Sequence, residues 1–468
     1  MRRTKALNSN YTKEQLNTLF ASIITSFMTT LNSSALNLSI PGIGDTFGVS
    51  AQAVGWVVTI YTLASVALSL PFGKLADLTS RVKVMRLGIL TFTAGCVLAI
   101  WAGSFTTFIL LRLLQGVGAA MIFSTNNAVL MGALPPSQSG CALGSSVCAT
   151  YIGLSVGPVT GGFLNSIFGW RSVLVMVSIV GLIALFVCLA KLPSDDGSFR
   201  GAREFDWQSA VLYGTGLICL MYGISCIGRE SLVWIGEVLV GALLMLVFIK
   251  RQLKLDEPLL KVSLFAGNRS FTYSNIAALM NYAATFAMSY LMSIYLQVIK
   301  DLPSRNAGLI LIAAPFVQAI ISPVAGRISD KHSPYKLSSA GMGCCAMALL
   351  GLIFLHDDSS YIRIILNLAL MGVGFGIFSS PNTNAIMSSV SSHDSGVASS
   401  IVATMRNCGQ TLSMAIVTII ISARMGKASL TAAEPMVVMS TIRIAFAVFS
   451  IICAVGMIIA LKRNEQKE

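Results

Sequence analysis

Charge is what this chain has least of. Only 11% of its 468 residues are Asp, Glu, Lys or Arg, too few to clothe a soluble globule of that size. Acids are the scarcer sign, 19 against 32 bases, and of the acids Glu237 alone falls well inside an apolar run. Histidine is nearly absent: His332, His356 and His393 fall in predicted loops, which argues against a histidine metal site. The ten cysteines show no paired spacing beyond the adjacent Cys344 and Cys345, and read as small buried hydrophobes rather than disulfide partners or metal ligands. No grouping of nucleophile, base and acid emerges, so an enzyme is the least favoured class and no cofactor is expected.

What is present is apolar. Hydrophobic residues make up 55% of the chain and its mean hydropathy is +0.77. Continuous runs of about 20 residues recur, each long enough to cross about 30 Å of hydrocarbon as a helix. Their continuity excludes the alternating pattern of a β-barrel. Spans are expected near 17–40, 52–72, 84–102, 106–131, 139–164, 170–190, 207–227 and 232–249, then 270–298, 306–326, 337–355, 361–388, 396–422 and 438–461. The first run is too long for a cleaved signal core and is read as a retained span. With this count most bases fall in alternate loops, such as Lys74, Arg81, Lys83 and Arg86, which places both termini in the cytoplasm. The net charge of +13 therefore reports topology rather than nucleic-acid binding.

Three echoes divide the chain. GKLADLTSRVKV from Gly73 returns as GRISDKHSPYKL from Gly326, with Asp77 matched by Asp330. Gln115-Gly116-Val117-Gly118 with Asn126 returns as Met371-Gly372-Val373-Gly374 with Asn382, and Ser139-Gly140 returns as Ser395-Gly396. Their nearly constant spacing indicates two homologous halves with helices in the same order, and it exceeds six spans by about one helical hairpin. The expected architecture is an all-α membrane protein of fourteen transmembrane helices. It comprises a six-helix bundle (1–191), an inserted two-helix hairpin with its flanking loops (192–262) and a second six-helix bundle (263–468).

The glycines of α-helical span five, Gly144, Gly153, Gly157-Pro158 and Gly161-Gly162, match the fifth-helix signature of exporters in the major facilitator superfamily. The loop from Gly73 resembles that superfamily's signature between helices two and three, and LLRLLQGVGAA, with Arg112, Gln115 and Gly116, resembles its fourth-helix signature. With LNSSALNLSIP in span one, FDWQSAVLYG at Phe205 and EPLLKVSLF at Glu257, the whole chain resembles the fourteen-span drug:proton antiporter group. The resemblance implies an alternating-access exporter of small amphipathic molecules in the cell membrane, a multi-pass monomer whose partners are the lipid bilayer, its substrate and protons. The alternatives are a proton-independent facilitator or importer of an organic anion, and a non-transporting receptor or scaffold.

Candidate roles follow. Gly153, Gly157 and Gly161 stand four apart, forming a smooth stripe for close helix approach, with Pro158 as a bend point and a pliable seam between halves as the functional reading. Gly73, Asp77, Arg81 and Asp330 are read as gating residues, Asp77 and Arg81 being placed to pair at i, i+4. Arg112 and Arg406 lie within spans, where a cation costs at least about 2.5 kcal/mol unless it faces a partner or a watery cavity. Asn126 and Asn382, with Gln115, Asn281, Tyr282, Gln318 and Asn384, are the polar candidates for the cavity wall. The family usually carries aspartate where this chain has Asn32, so Asn32→Asp is expected to raise cation transport. With arginines and no interior carboxylate in the twelve transporting helices, the cavity is expected to favour neutral or anionic cargo over cations.

Overall fold

The structure, a computed structural model, describes residues 12–133, 136–192, 205–225, 233–255, 258–265, 267–329, 332–390, 395–425 and 434–462. Among these residues it is helical, without strands. The long helices are α1 (Lys13–Phe47), α2 (Ala51–Leu78), α3 (Arg81–Ala99), α4 (Phe105–Ala133), α5 (Pro136–Phe168), α6 (Arg171–Lys191), α7 (Trp207–Ser225) and α8 (Val233–Gln252). They continue as α9 (Arg269–Ile299), α10 (Ser304–Ser329), α11 (Pro334–Ile353), α12 (Tyr361–Ser388), α13 (Ser395–Met425) and α14 (Pro435–Leu461). Their starts follow local chemistry. Thr12 forms a capping box with Gln15, and Ser50, Ser80 and Asn268 accept hydrogen bonds from the backbone N–H groups of Ala53, Lys83 and Phe271. Gly48, at φ +61°, closes α1 and lets the chain reverse into α2 within a few residues.

Among the described residues, 12 helices are long and apolar enough to cross a bilayer: α1 to α4, α6 and α8 to α14. α5 and α7 fall outside that group. Both are long enough, at 33 and 19 residues, but α5 is diluted by glycine and serine and α7 opens on Trp207-Gln208-Ser209. The sequence count of fourteen is thus met for twelve.

Packing repeats itself. α1 lies against α4, α5 and α6, α3 against α4 and α6, and α2 against α4; in the same order, α9 lies against α12, α13 and α14, α11 against α12 and α14, and α10 against α12. The QGVG and MGVG echoes are one device used twice. A Cβ at Gly116 would strike Tyr61 and Ala64 of α2, and one at Gly118 would strike Phe92 of α3; at Gly372 and Gly374 it would strike Ala314 of α10 and Cys345 of α11. Each glycine pair therefore lets one helix touch two neighbours at backbone distance. The two sets meet along two seams, α2 with α13 and α5 with α10. The α7–α8 hairpin attaches through α7, which touches both α2 and α13. Asp206 caps α7 through Ser209 and pairs with Arg251 of α8 at 3.0 Å, tying the hairpin's basic end.

Candidate functional site

Between the two sets of helices lies a cavity of about 410 Å³, walled by α1, α2, α4 and α5 on one side and by α9, α10, α12 and α13 on the other. That volume lies within the range of small-molecule sites. Of the candidates from sequence, Asn126, Tyr282, Gln318 and Arg406 line it. Asn126 donates from Nδ2 to the Ser26 hydroxyl at 2.8 Å, and its Oδ1 has no partner. Arg406 reaches across from α13, its Cζ 5.9 Å from the Phe123 ring of α4, and lies close to the Tyr282 phenol. Tyr282 in turn meets Phe375 edge-on at 5.3 Å. Arg406 is the sole charged side chain among the described lining residues, and no carboxylate joins it.

The other candidates stand behind the wall. Arg112 is 1% exposed: its Nε donates to the Val57 carbonyl at 2.9 Å, its Nη1 to Gln115 Oε1, and its Cζ sits 4.6 Å from the Tyr61 ring, which itself faces the cavity. Gln115 passes the chain of bonds on to the Gly95 carbonyl. Arg112 and Gln115 therefore lie outside the cavity wall and staple α2, α3 and α4 together. Asn32 is fully buried beside Tyr61 with neither amide atom in a standard hydrogen bond, and Asn281 is likewise buried, beside Cys345. Asn382 donates to the Ser274 carbonyl and Asn384 to the Ser329 hydroxyl, each at 3.1 Å, so both link helices instead of lining the cavity.

The gating candidates also move. A Cβ at Gly153, Gly157 or Gly161 would strike Thr30, Ser34 or Ala35, so the stripe seats α5 on α1 within one set of helices and is not the seam between sets. The seam is formed one residue over. Gly308 of α10 packs against the Pro158 carbonyl, and Gly162 against that of Ser304. Asp77 pairs with Arg81 at 2.7 Å on the exposed surface, within the connection between α2 and α3. Gly73 faces Ser124 of α4, in the same set. Asp330 lies outside the described residues.

Sequence reasoning missed the clasp at the opposite end of the molecule. Ser293 Oγ donates to the Asn37 carbonyl at 2.8 Å and accepts from Gln297 Nε2 at 2.8 Å. Ser304 Oγ donates to Gln297 Oε1 at 2.8 Å and accepts from Asn165 Nδ2 at 2.7 Å, which also reaches the Leu38 carbonyl at 3.1 Å. The circuit joins α1, α9, α10 and α5. Nearer the cavity, the Tyr151 phenol of α5 donates to Ser379 Oγ at 3.4 Å and accepts from Ser322 Oγ at 3.3 Å. Polar residues at span depth were the available signal, but nothing in their spacing says which helices they join.

Two sets of helices paired alike around a shared cavity are the architecture of a membrane carrier. The model of the Major Facilitator Superfamily matches residues 22–414 and 276–468, and the chain belongs to that family. It is 31% identical over 381 residues to the riboflavin transporter RibZ of Clostridioides difficile, covering 81% of this chain and 82% of that one. It is 27% identical to the multidrug resistance protein Stp of Mycobacterium tuberculosis, over 88% of this chain and 76% of that one. Among solved structures, a bacterial homolog of the human lysosomal transporter Spinster, inward-facing and unoccupied, aligns at a TM-score of 0.70 and 15% identity over 96% of this chain and 97% of that one. A D-xylose-proton symporter aligns at 0.68 and 11% identity, over 96% and 98%.

Proposed function

We propose that the chain is an alternating-access exporter of small amphipathic organic molecules, neutral or anionic rather than cationic. The observation that carries this reading is the cavity wall, whose described charged member is Arg406, with no acid beside it. An organic cation placed there would lose water and meet a like charge, whereas a carboxylate, carbonyl or ring nitrogen would meet a guanidinium. The charge argument rests on Arg406 alone, because Arg112 is sealed behind Tyr61.

In this reading all fourteen helices cross the bilayer, α5 and α7 included. Residues 1–191 and 263–468 are the two moving bundles, 192–262 is the inserted hairpin, and the carrier acts as a monomer in the cell membrane with both termini in the cytoplasm. The clasp through Asn165, Ser304, Gln297 and Ser293 then closes the outer side, which makes this the inward-facing state. The names of the relatives, a riboflavin transporter and a multidrug resistance protein, fit cargo of this class.

Proton coupling in this scheme uses the cargo's own acidic group or an edge residue, since no carboxylate lies among the described lining residues. The test is flux in proteoliposomes across cationic, neutral and anionic dyes, with and without a pH gradient. Saturable movement of neutral or anionic dyes is expected. Flux that is indifferent to the gradient would replace proton coupling by facilitation.

A further inference from the structure

The two walls of the cavity differ in kind. On the side of α1, α2, α4 and α5, the lining is mostly hydroxyl and amide, whereas on the side of α9, α10, α12 and α13 it is mostly aromatic and aliphatic, with Phe286, Met288, Leu368, Met371 and Phe375 around Arg406. The hydroxyls have a shared polarity. Thr29, Thr30, Ser34, Thr62, Ser65 and Thr150 each donate their one proton back to a carbonyl three or four residues earlier in their own helix, at 2.8 to 3.2 Å. A hydroxyl whose hydrogen is committed in this way has only lone pairs left to offer. Asn126 likewise spends its Nδ2 on the Ser26 hydroxyl. One wall therefore presents mainly hydroxyl lone pairs, and the other sets aromatic and aliphatic side chains, with the amides of Gln318 and Gln410, around a single described cation.

Resting on the carrier reading above, we infer that the cargo is two-sided: a planar aromatic ring system with an electron-rich edge, carrying an arm of several neutral hydrogen-bond donors such as a polyol. The ring lies against Phe375, Phe123 and Tyr282, where stacking and the Arg406 guanidinium meet its acceptor edge. The arm's hydroxyls donate to Thr29, Thr62 and their neighbours. Ammonium donors would also suit the acceptor wall, but Arg406 across the cavity repels them, so neutral donors are selected. A ring without the arm leaves the acceptors stripped of water and unpaired.

The test uses the full-length protein in lipid nanodiscs and two fluorescent probes sharing one ring, riboflavin and lumiflavin, the latter with a methyl group in place of the hydroxylated arm. Riboflavin should bind at least about tenfold more tightly, the worth of one or two unpaired acceptors. The shape-preserving pair Thr29→Val and Thr62→Val should erase that difference while leaving lumiflavin affinity unchanged. Equal affinity for the two probes in the unmodified protein overturns the inference, as does the absence of saturable binding by either. Uptake of the ethidium cation by proteoliposomes is the separate readout for the carrier's charge preference: if it occurs, that reading fails, whatever the flavin pair shows.

Discussion

Arg112 and Arg406 look alike in the sequence, each a lone base inside a long apolar helix, yet the fold gives them opposite situations. Arg112 is enclosed by the Val57 carbonyl, Gln115 and the Tyr61 ring, and is 1% exposed. Arg406 is partly accessible and faces the cavity between Phe123 and Tyr282. A cation at membrane depth needs either a dense set of acceptors or water, and this chain uses one solution in each set of helices. The first arginine is a structural cross-brace. The second is the one charge on the described cavity wall.

Mutation should separate the two roles. The largest effect is expected from Arg112→Ala, which leaves a void and strands the Gln115 amide and the Val57 carbonyl; the loss of stability should be about 2–4 kcal/mol, read as a lower unfolding temperature in detergent. Arg112→Met, which refills the space, should retain most stability and bind cargo normally, and a collapse of affinity there would erase the distinction. Arg406→Gln should do the reverse, with unfolding unchanged and affinity for an anionic planar dye down by about 10 to 100-fold, the worth of a charged hydrogen bond.

Next in size is Gly157→Ala, whose new methyl meets Ser34 of α1 and should cost about 1–3 kcal/mol through overpacking, again in unfolding temperature. Asn32→Asp, expected from sequence to raise cation transport, sits behind Tyr61 rather than on the wall, and ethidium flux should stay at background. The smallest effect belongs to the hairpin anchor. Partial burial raises the Asp206 carboxyl, but hydrogen bonds from Arg251 and Ser209 outweigh it and hold it below the usual carboxylate range. Its contribution is present above the ordinary aspartate pKa and disappears as pH falls through the lowered one. Asp206→Asn should therefore cost no more than about 1 kcal/mol at neutral pH, the worth of a partly exposed ion pair, and nothing in strong acid.

Much of the fold was written in local pattern. Apolar runs marked the helices, the QGVG and MGVG echoes marked equivalent packing points, and the i, i+4 spacing of Asp77 and Arg81 gave their pairing. The site was less readable, because a polar residue in a span has one face and sequence does not say which. Asn126 and Asn382 are repeat equivalents, yet one lines the cavity and the other bonds the Ser274 carbonyl. The glycine stripe of α5 declared close approach but not its partner, which is α1. Tyr151, Asn165 and Gln297 were invisible as a group because their partners lie on other helices, far off in sequence.

The most direct measurement is ion-specific flux in proteoliposomes holding either the unmodified carrier or Arg406→Glu, assayed with one anionic dye and with ethidium. The unmodified protein should move the anion and leave the cation at background, and reversal at residue 406 should exchange the two. Ethidium transport by the unmodified carrier, or an anion flux untouched by the reversal, would contradict the assignment of Arg406 as the charge that selects cargo.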